Sequence, residues 1–114
     1  MHELSIAVSI VEAVEEELAR RAEPHARAVI VRVGALTGVV PDALEFAWGP
    51  ATEATRLAGS ALRIEVEDVT VFCPACAAER TLPSIQLMQC PVCGAPVRQI
   101  VRGNALQIIG VELD

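Results

Sequence analysis

The chain has four cysteines, and all of them fall into two Cys-x-x-Cys pairs, Cys73-Pro74-Ala75-Cys76 and Cys90-Pro91-Val92-Cys93. Thirteen residues, Ala77 to Gln89, separate the pairs. Two residues between paired cysteines let one tight turn aim both sulfurs at a single point. A second such turn completes the tetrahedron of thiolates that Zn²⁺ accepts at about 2.3 Å per sulfur. Pro74 and Pro91 fix φ near −65° just inside each turn. Gly94 follows Cys93, where the turn needs a positive φ, and Ala77 holds the equivalent and less suitable place after Cys76. A site closed by four thiolates leaves no position for a substrate or an activated water. Zinc is therefore expected to be structural here, and the function must lie elsewhere. Two disulfides or a redox dithiol are the competing readings. The first fifteen residues carry acids and no Arg, so no secretory leader is expected. The expected compartment is a reducing cytoplasm, where disulfides rarely persist.

The second constellation is Met1-His2-Glu3. A free amine, the amide nitrogen and imidazole of residue 2, and the amide of residue 3 can place four nitrogens in a plane around one metal. That geometry suits Ni(II) or Cu(II) and suits Zn²⁺ poorly. A helix beginning at Leu4 would help, because its first N–H groups have no intrahelical acceptor and can lose a proton without breaking a turn. By residue type alone, His2 is more readily read as the frayed second residue of any chain. The other histidine, His25, lies in a turn beside Pro24 and suggests no chemistry.

Regular elements must position these groups. Leu4 to Ala22 reads as an amphipathic helix with Leu4, Ala7, Val8, Val11, Val14 and Leu18 as its apolar stripe, ended by Glu23-Pro24. Glu16→Arg20 and Glu17→Arg21 are favourable i,i+4 pairs. Ala28 to Val33 reads as a strand with Val29, Val31 and Val33 on one face. Pro41 is placed as the first residue of a second helix with Asp42 in its first turn. Its expected buried residues are Leu44, Ala47, Trp48, Ala51, Ala54 and Ala58, with a kink or a break at Gly49-Pro50 and a cap at Gly59. Leu62, Ile64 and Val66 alternate with charges as a half-buried strand, and the parity slips at Asp68. A ribbon from Thr70 to Arg102, a Gly103-Asn104 turn and a strand from Leu106 to Leu113 complete the chain. The fold class is α+β: two helices packed on a three-stranded sheet, with an inserted four-cysteine zinc ribbon. The domains are residues 1–69 plus 103–114, and residues 70–102.

Composition narrows the function classes. All nine basic residues are Arg, against fifteen acids, for a formal charge of −6. Four thiolates on one Zn²⁺ would add about −2. An acidic surface repels a phosphate backbone, and aromatics at 3 % leave little to stack bases on. Nucleic acid is disfavoured as a partner. The apolar runs are too short to span a membrane. No phosphate-cradling Gly loop or Ser-His-Asp set is present, so an enzyme is not expected.

Met1-His2-Glu3-Leu4-Ser5 opening an amphipathic helix resembles the start of the HypA/HybF family of hydrogenase nickel-incorporation proteins. Val33-Gly34-Ala35-Leu36-Thr37-Gly38-Val39 is similar to the family's strand-to-loop segment, and Pro41 to Trp48 to its second helix. The two Cys-x-x-Cys pairs before the last strand resemble its inserted zinc domain. The resemblance implies a metallochaperone that carries Ni(II) on the Met1 amine, His2 and the backbone at Glu3. It implies delivery to the large subunit of nickel–iron hydrogenase in concert with the GTPase HypB, and structural Zn(II) on Cys73, Cys76, Cys90 and Cys93. The alternative function is a zinc-ribbon adaptor for protein or nucleic acid with no nickel role.

Overall fold

The computed structural model describes residues 2–114, and the predicted nickel ligand Met1 lies outside them. The chain forms two compact units. One comprises residues 1–31, 39–65 and 107–114, and the other residues 32–38 and 66–106.

In the first unit, helix α1 spans His2–Arg20 and helix α2 spans Pro41–Thr52. The two pack on each other. The buried residues of α1 are Ala7, Ile10, Val11, Val14 and Leu18. Ile10 therefore belongs to the stripe, whereas Leu4 and Val8, predicted to be inside, are exposed. At about 100° per residue, Val8 lies a full step round from Ala7, off the edge of the face that meets α2. α1 closes with Ala22 in the left-handed region and Glu23 N–H donating to the Leu18 carbonyl, a Schellman-type stop. Glu17, rather than Glu16, holds both Arg20 and Arg21.

α2 begins as predicted, with Pro41 at its first position and Asp42 in its first turn. It runs through Pro50 as one element and stops at Thr52, so two short helices do not form. A proline this near the C-terminal end removes little more than one ladder bond. The Thr52 hydroxyl bonds back to the Trp48 and Gly49 carbonyls, at 2.9 and 3.1 Å, in the last turn. Because the helix ends there, Ala54 and Ala58 are exposed, contrary to expectation. Leu57 fills the core instead. Gly59 is left-handed within the following turn and is not the cap of α2.

Strands β1 (Ala26–Gly34), β2 (Ala61–Glu67) and β6 (Leu106–Leu113), the last of six in chain order, make a sheet of order β2-β1-β6. Val29, Val31 and Val33 are buried as their alternation predicts. In β2 only Leu62 is fully buried. Val66 is 59 % exposed, because the strand ends one residue later and the chain leaves this sheet. Glu112 of β6 pairs with Arg27 of β1 and Arg63 of β2. His25, given no role by sequence, places Nδ1 2.5 Å from Asp114 Oδ2 and Nε2 3.0 Å from the Ala58 carbonyl. With an acceptor at each nitrogen, the ring favours its doubly protonated form. The Ala58 bond, then Asp114, raise its pKa above the usual histidine value.

The second unit is built on β3 (Thr70–Cys73), β4 (Ala78–Thr81) and β5 (Gln99–Arg102), in the order β4-β3-β5 and all antiparallel. The parity slip at Asp68 is the point where the chain passes from β2 into this second sheet. The core is small: Val69, Val71, Cys73, Leu82, Cys90 and Val97, with Leu36, Met88 and Ile100 packed against it. Ile85 is exposed. The turn at Gly103 is set by crowding. Its Cα passes so close to Val69 that an added Cβ would sit 2.7 Å from Val69 Cα.

Candidate metal centre

Each cysteine pair sits on its own turn. β3 delivers Cys73, and the chain folds back over Pro74-Ala75-Cys76, with the Ala77 amide donating to the Pro74 carbonyl at 3.3 Å. The second turn is tied at both ends: the Cys90 amide donates to the Ala95 carbonyl at 2.8 Å, and the Gly94 amide to the Cys90 carbonyl at 2.9 Å. The residue after each pair is left-handed, Ala77 at φ 51° and Gly94 at φ 78°. Only the second is a glycine. An alanine there carries a Cβ clash of about 1–2 kcal/mol, part of which a glycine would return as chain entropy. Ala77→Gly is therefore expected to stabilise the ribbon by roughly 0.5–1 kcal/mol, seen as a higher urea midpoint at fixed zinc. A lower midpoint would mean that the Ala77 methyl makes a contact that outweighs its strain.

The turns bring all four sulfurs within 4.8 Å of one another. Cys73 Sγ lies 3.6 Å from Cys93 Sγ, and Cys76 Sγ lies 3.8 Å from Cys90 Sγ. A regular tetrahedron with about 2.3 Å metal–sulfur bonds has edges of about 3.8 Å. The four thiols are free rather than disulfide-bonded, and their spacing fits a single Zn²⁺. The set is all sulfur, so the fit is to a closed, structural site rather than a catalytic one.

Local dipoles prepare one of the thiols for this. The Cys93 and Val92 amides point at Cys90 Sγ, at 3.5 and 3.4 Å, and hold its pKa down to about 6. At Cys93 the Ala95 amide works in the same direction. Hydrogen bonding with the Cys73 and Cys76 thiols outweighs it, and this thiol is pushed up to about 11. Crowded thiols share their protons unequally, and a divalent cation removes the conflict by taking all four as thiolates.

His2 and Glu3 occupy the first turn of α1, not the segment before it, since the helix starts two residues earlier than expected. Glu3 is a first-turn acid, which the helix dipole favours. His2 Nε2 lies 3.8 Å from Glu3 Oε2, and the His2 side chain is 61 % exposed, so an ion can reach it from solvent. Sequence reasoning had no means of finding Arg80, whose guanidinium faces the Cys76 and Cys90 thiols.

Residues 1–113 match the family described as "Hydrogenase/urease nickel incorporation, metallochaperone, hypA". The chain belongs to the HypA family. The hydrogenase maturation factor HypA of Chloroflexus aggregans is 47 % identical over 112 residues, 98 % of each chain. That of Roseiflexus sp. strain RS-1 is 41 % identical, over all of this chain and 93 % of its own. In fold, the chain is similar to the solution structure of the Ni metallochaperone HypA from Helicobacter pylori. The TM-score is 0.69 at 23 % identity, over 99 % of this chain and 97 % of that one. A second solution structure of a HypA protein gives a TM-score of 0.72 at 22 % identity, over 99 % and 96 %. HypA membership assigns the chain to nickel incorporation in hydrogenase maturation as a metallochaperone, and the four-cysteine cluster supplies a site suited to structural zinc. The expected α+β architecture, two helices and a three-stranded sheet with a four-cysteine ribbon, is the HypA architecture. Among the described residues no helix is long and apolar enough to cross a membrane.

Proposed function

We propose that this HypA protein binds Ni(II) at its N-terminus through the Met1 amine, His2 and the backbone at Glu3. It hands the ion to the large subunit of nickel–iron hydrogenase in the cytoplasm, working with the GTPase HypB and performing no catalysis of its own. Zinc is held by Cys73, Cys76, Cys90 and Cys93 as a structural ion. Residues 1–69 plus 103–114 act as the nickel domain, and residues 70–102 as the zinc domain. The observation that carries the nickel site is His2 itself: a solvent-facing imidazole in the first turn of α1, where the amides have no intrahelical acceptor. Nickel is cargo here, so its site must also release it. A chelate at an exposed helix end can be entered and vacated without unfolding the core.

Calorimetric nickel titration of three proteins tests the reading: one beginning at Met1, its His2→Ala variant, and one extended by a residue before Met1. The first should bind one Ni(II). Both others should lose that binding while keeping zinc, because one lacks the imidazole and the other moves the amine out of the chelate ring. Undiminished binding in either variant would place the nickel elsewhere.

A further inference from the structure

Arg80 occupies an unusual place for an arginine. β4 pairs antiparallel with β3 so that Arg80 lies opposite Val71, and Ala78 opposite Cys73. Cross-strand partners share a face of the sheet, so Arg80 projects on the side that carries Val71 and Cys73, both fully buried in the ribbon core. Its Nε–H is buried and has no hydrogen-bond partner in the protein. A buried guanidinium donor without an acceptor is costly. The groups it faces are the sulfurs of Cys76 and Cys90, which favour its charge. A neutral thiol is a weak acceptor and a thiolate a strong one. Cysteines deprotonated around a metal would therefore offer this guanidinium acceptors that neutral thiols do not. Four thiolates on Zn²⁺ leave a net charge of about −2, and a cation at this position offsets part of it. The nearby ion pair of Arg102 with Glu79, at 2.9 Å, lies on the exposed side of the strand pair.

We propose that Arg80 is a positioning residue of the zinc site: its guanidinium caps the Cys76 and Cys90 thiolates, withdraws charge from their sulfurs and so slows the opening of the zinc cluster. The cap covers one sulfur from each Cys-x-x-Cys turn, so it also ties the two turns together across the metal. Cys90 receives the Val92 and Cys93 amides in addition. Backbone dipoles of the second cysteine turn and Arg80 of β4 thus act on the same sulfur. The role rests on zinc occupying the four-sulfur site.

Arg80→Met keeps the length and apolar stem while removing charge and donors. Arg80→Lys restores a point charge without the planar fork. Arg98→Met removes an exposed ribbon arginine as a control. For each full-length protein, zinc transfer to an excess of a chromogenic chelator is timed, and the cobalt-substituted form is examined for its sulfur-to-metal charge-transfer band. Arg80→Met should lose zinc about tenfold faster or more, the usual scale for a lost outer-shell partner. Its cobalt band should move to longer wavelength, because sulfurs relieved of hydrogen bonds hold their electrons less tightly. Arg80→Lys should fall between it and the parent, and Arg98→Met should match the parent. Parental release rates in Arg80→Met would overturn the proposal. Faster release with an unmoved band in both Arg80 variants would also overturn it, since that pattern belongs to lost packing. A parent protein that holds neither zinc nor a four-thiolate cobalt centre would remove the zinc site itself, an outcome distinguishable from failure of the Arg80 role alone.

Discussion

Cys90→Ser is expected to release zinc and unfold the ribbon, leaving the α1–α2 unit folded. The ribbon core has six buried members, and two of them, Cys73 and Cys90, are themselves expected zinc ligands. The aliphatic remainder is Val69, Val71, Leu82 and Val97, too little apolar surface to order a segment of this length without a staple. Structural zinc supplies about 10–16 kcal/mol of apparent binding energy in comparable small domains, and that energy becomes folding energy. Serine at position 90 removes a sulfur whose thiolate two amides favour, and it puts a hydroxyl at a buried position. The α1–α2 unit has its own buried core, including Val14, Leu18, Val29, Val31, Leu44 and Trp48. Metal content by mass spectrometry and backbone amide spectra of residues 66–106 give the readout. The expected result is no zinc, collapsed dispersion in the ribbon, and retained signals from α1 and α2. One zinc per chain with an ordered ribbon in Cys90→Ser would show that the four sulfurs are not the site.

Gly103→Ala should be nearly as damaging, for steric rather than chemical reasons. Gly103 has φ 99°, and a Cβ there would lie 2.7 Å from both the Asp68 carbonyl oxygen and Val69 Cα. Those are backbone atoms that cannot rotate aside. Gly103 also crowds Gly34: a Cβ on Gly34 would run into the Gly103 carbonyl group. The close approach lets the Gly34 amide reach the Ala105 carbonyl and the Leu36 amide reach the Gly103 carbonyl, both at 2.9 Å. Moving the strands apart to admit a methyl would break those bonds as well as strain φ, at a cost of about 3 kcal/mol or more. Gly59→Ala is the comparison. Its φ is 76°, but nothing lies within 4 Å of its added Cβ, so it should cost only about 1–2 kcal/mol. Urea midpoints of the two variants decide the matter. Equal losses would mean that backbone conformation alone, and not the close approach, makes Gly103 necessary.

Features governed by short-range physics were legible in the residues. The two-residue gap in each Cys-x-x-Cys pair specifies a turn whatever surrounds it, and the sulfurs do converge. Pro41 begins α2 because a fixed φ and a missing N–H suit a helix start wherever it falls. Val29, Val31 and Val33 turned inward because a strand alternates by its own geometry. Even the poor fit of Ala77 was visible, since its position demands a positive φ that it adopts at 51°.

Whatever depended on a partner distant in the chain was left to the tertiary structure. Which arc of α1 is buried depends on where α2 lands, and that exchanged Val8 for Ile10. The end of α2 at Thr52 exposed Ala54 and Ala58, although their spacing continued the apolar pattern. His25 acquires a role only when Asp114, at the far end of the chain, is brought beside it. Arg80 looks like any strand arginine until the register with β3 turns it onto the sulfur side of the ribbon. A residue's own φ/ψ preferences, rotamers and near neighbours act within a few positions, so the sequence determined turns, strand faces and the cysteine site. The choice of helix face, the pairing of charges and the cation beside the sulfurs arise from contacts across dozens of residues, and the folded chain alone decided them.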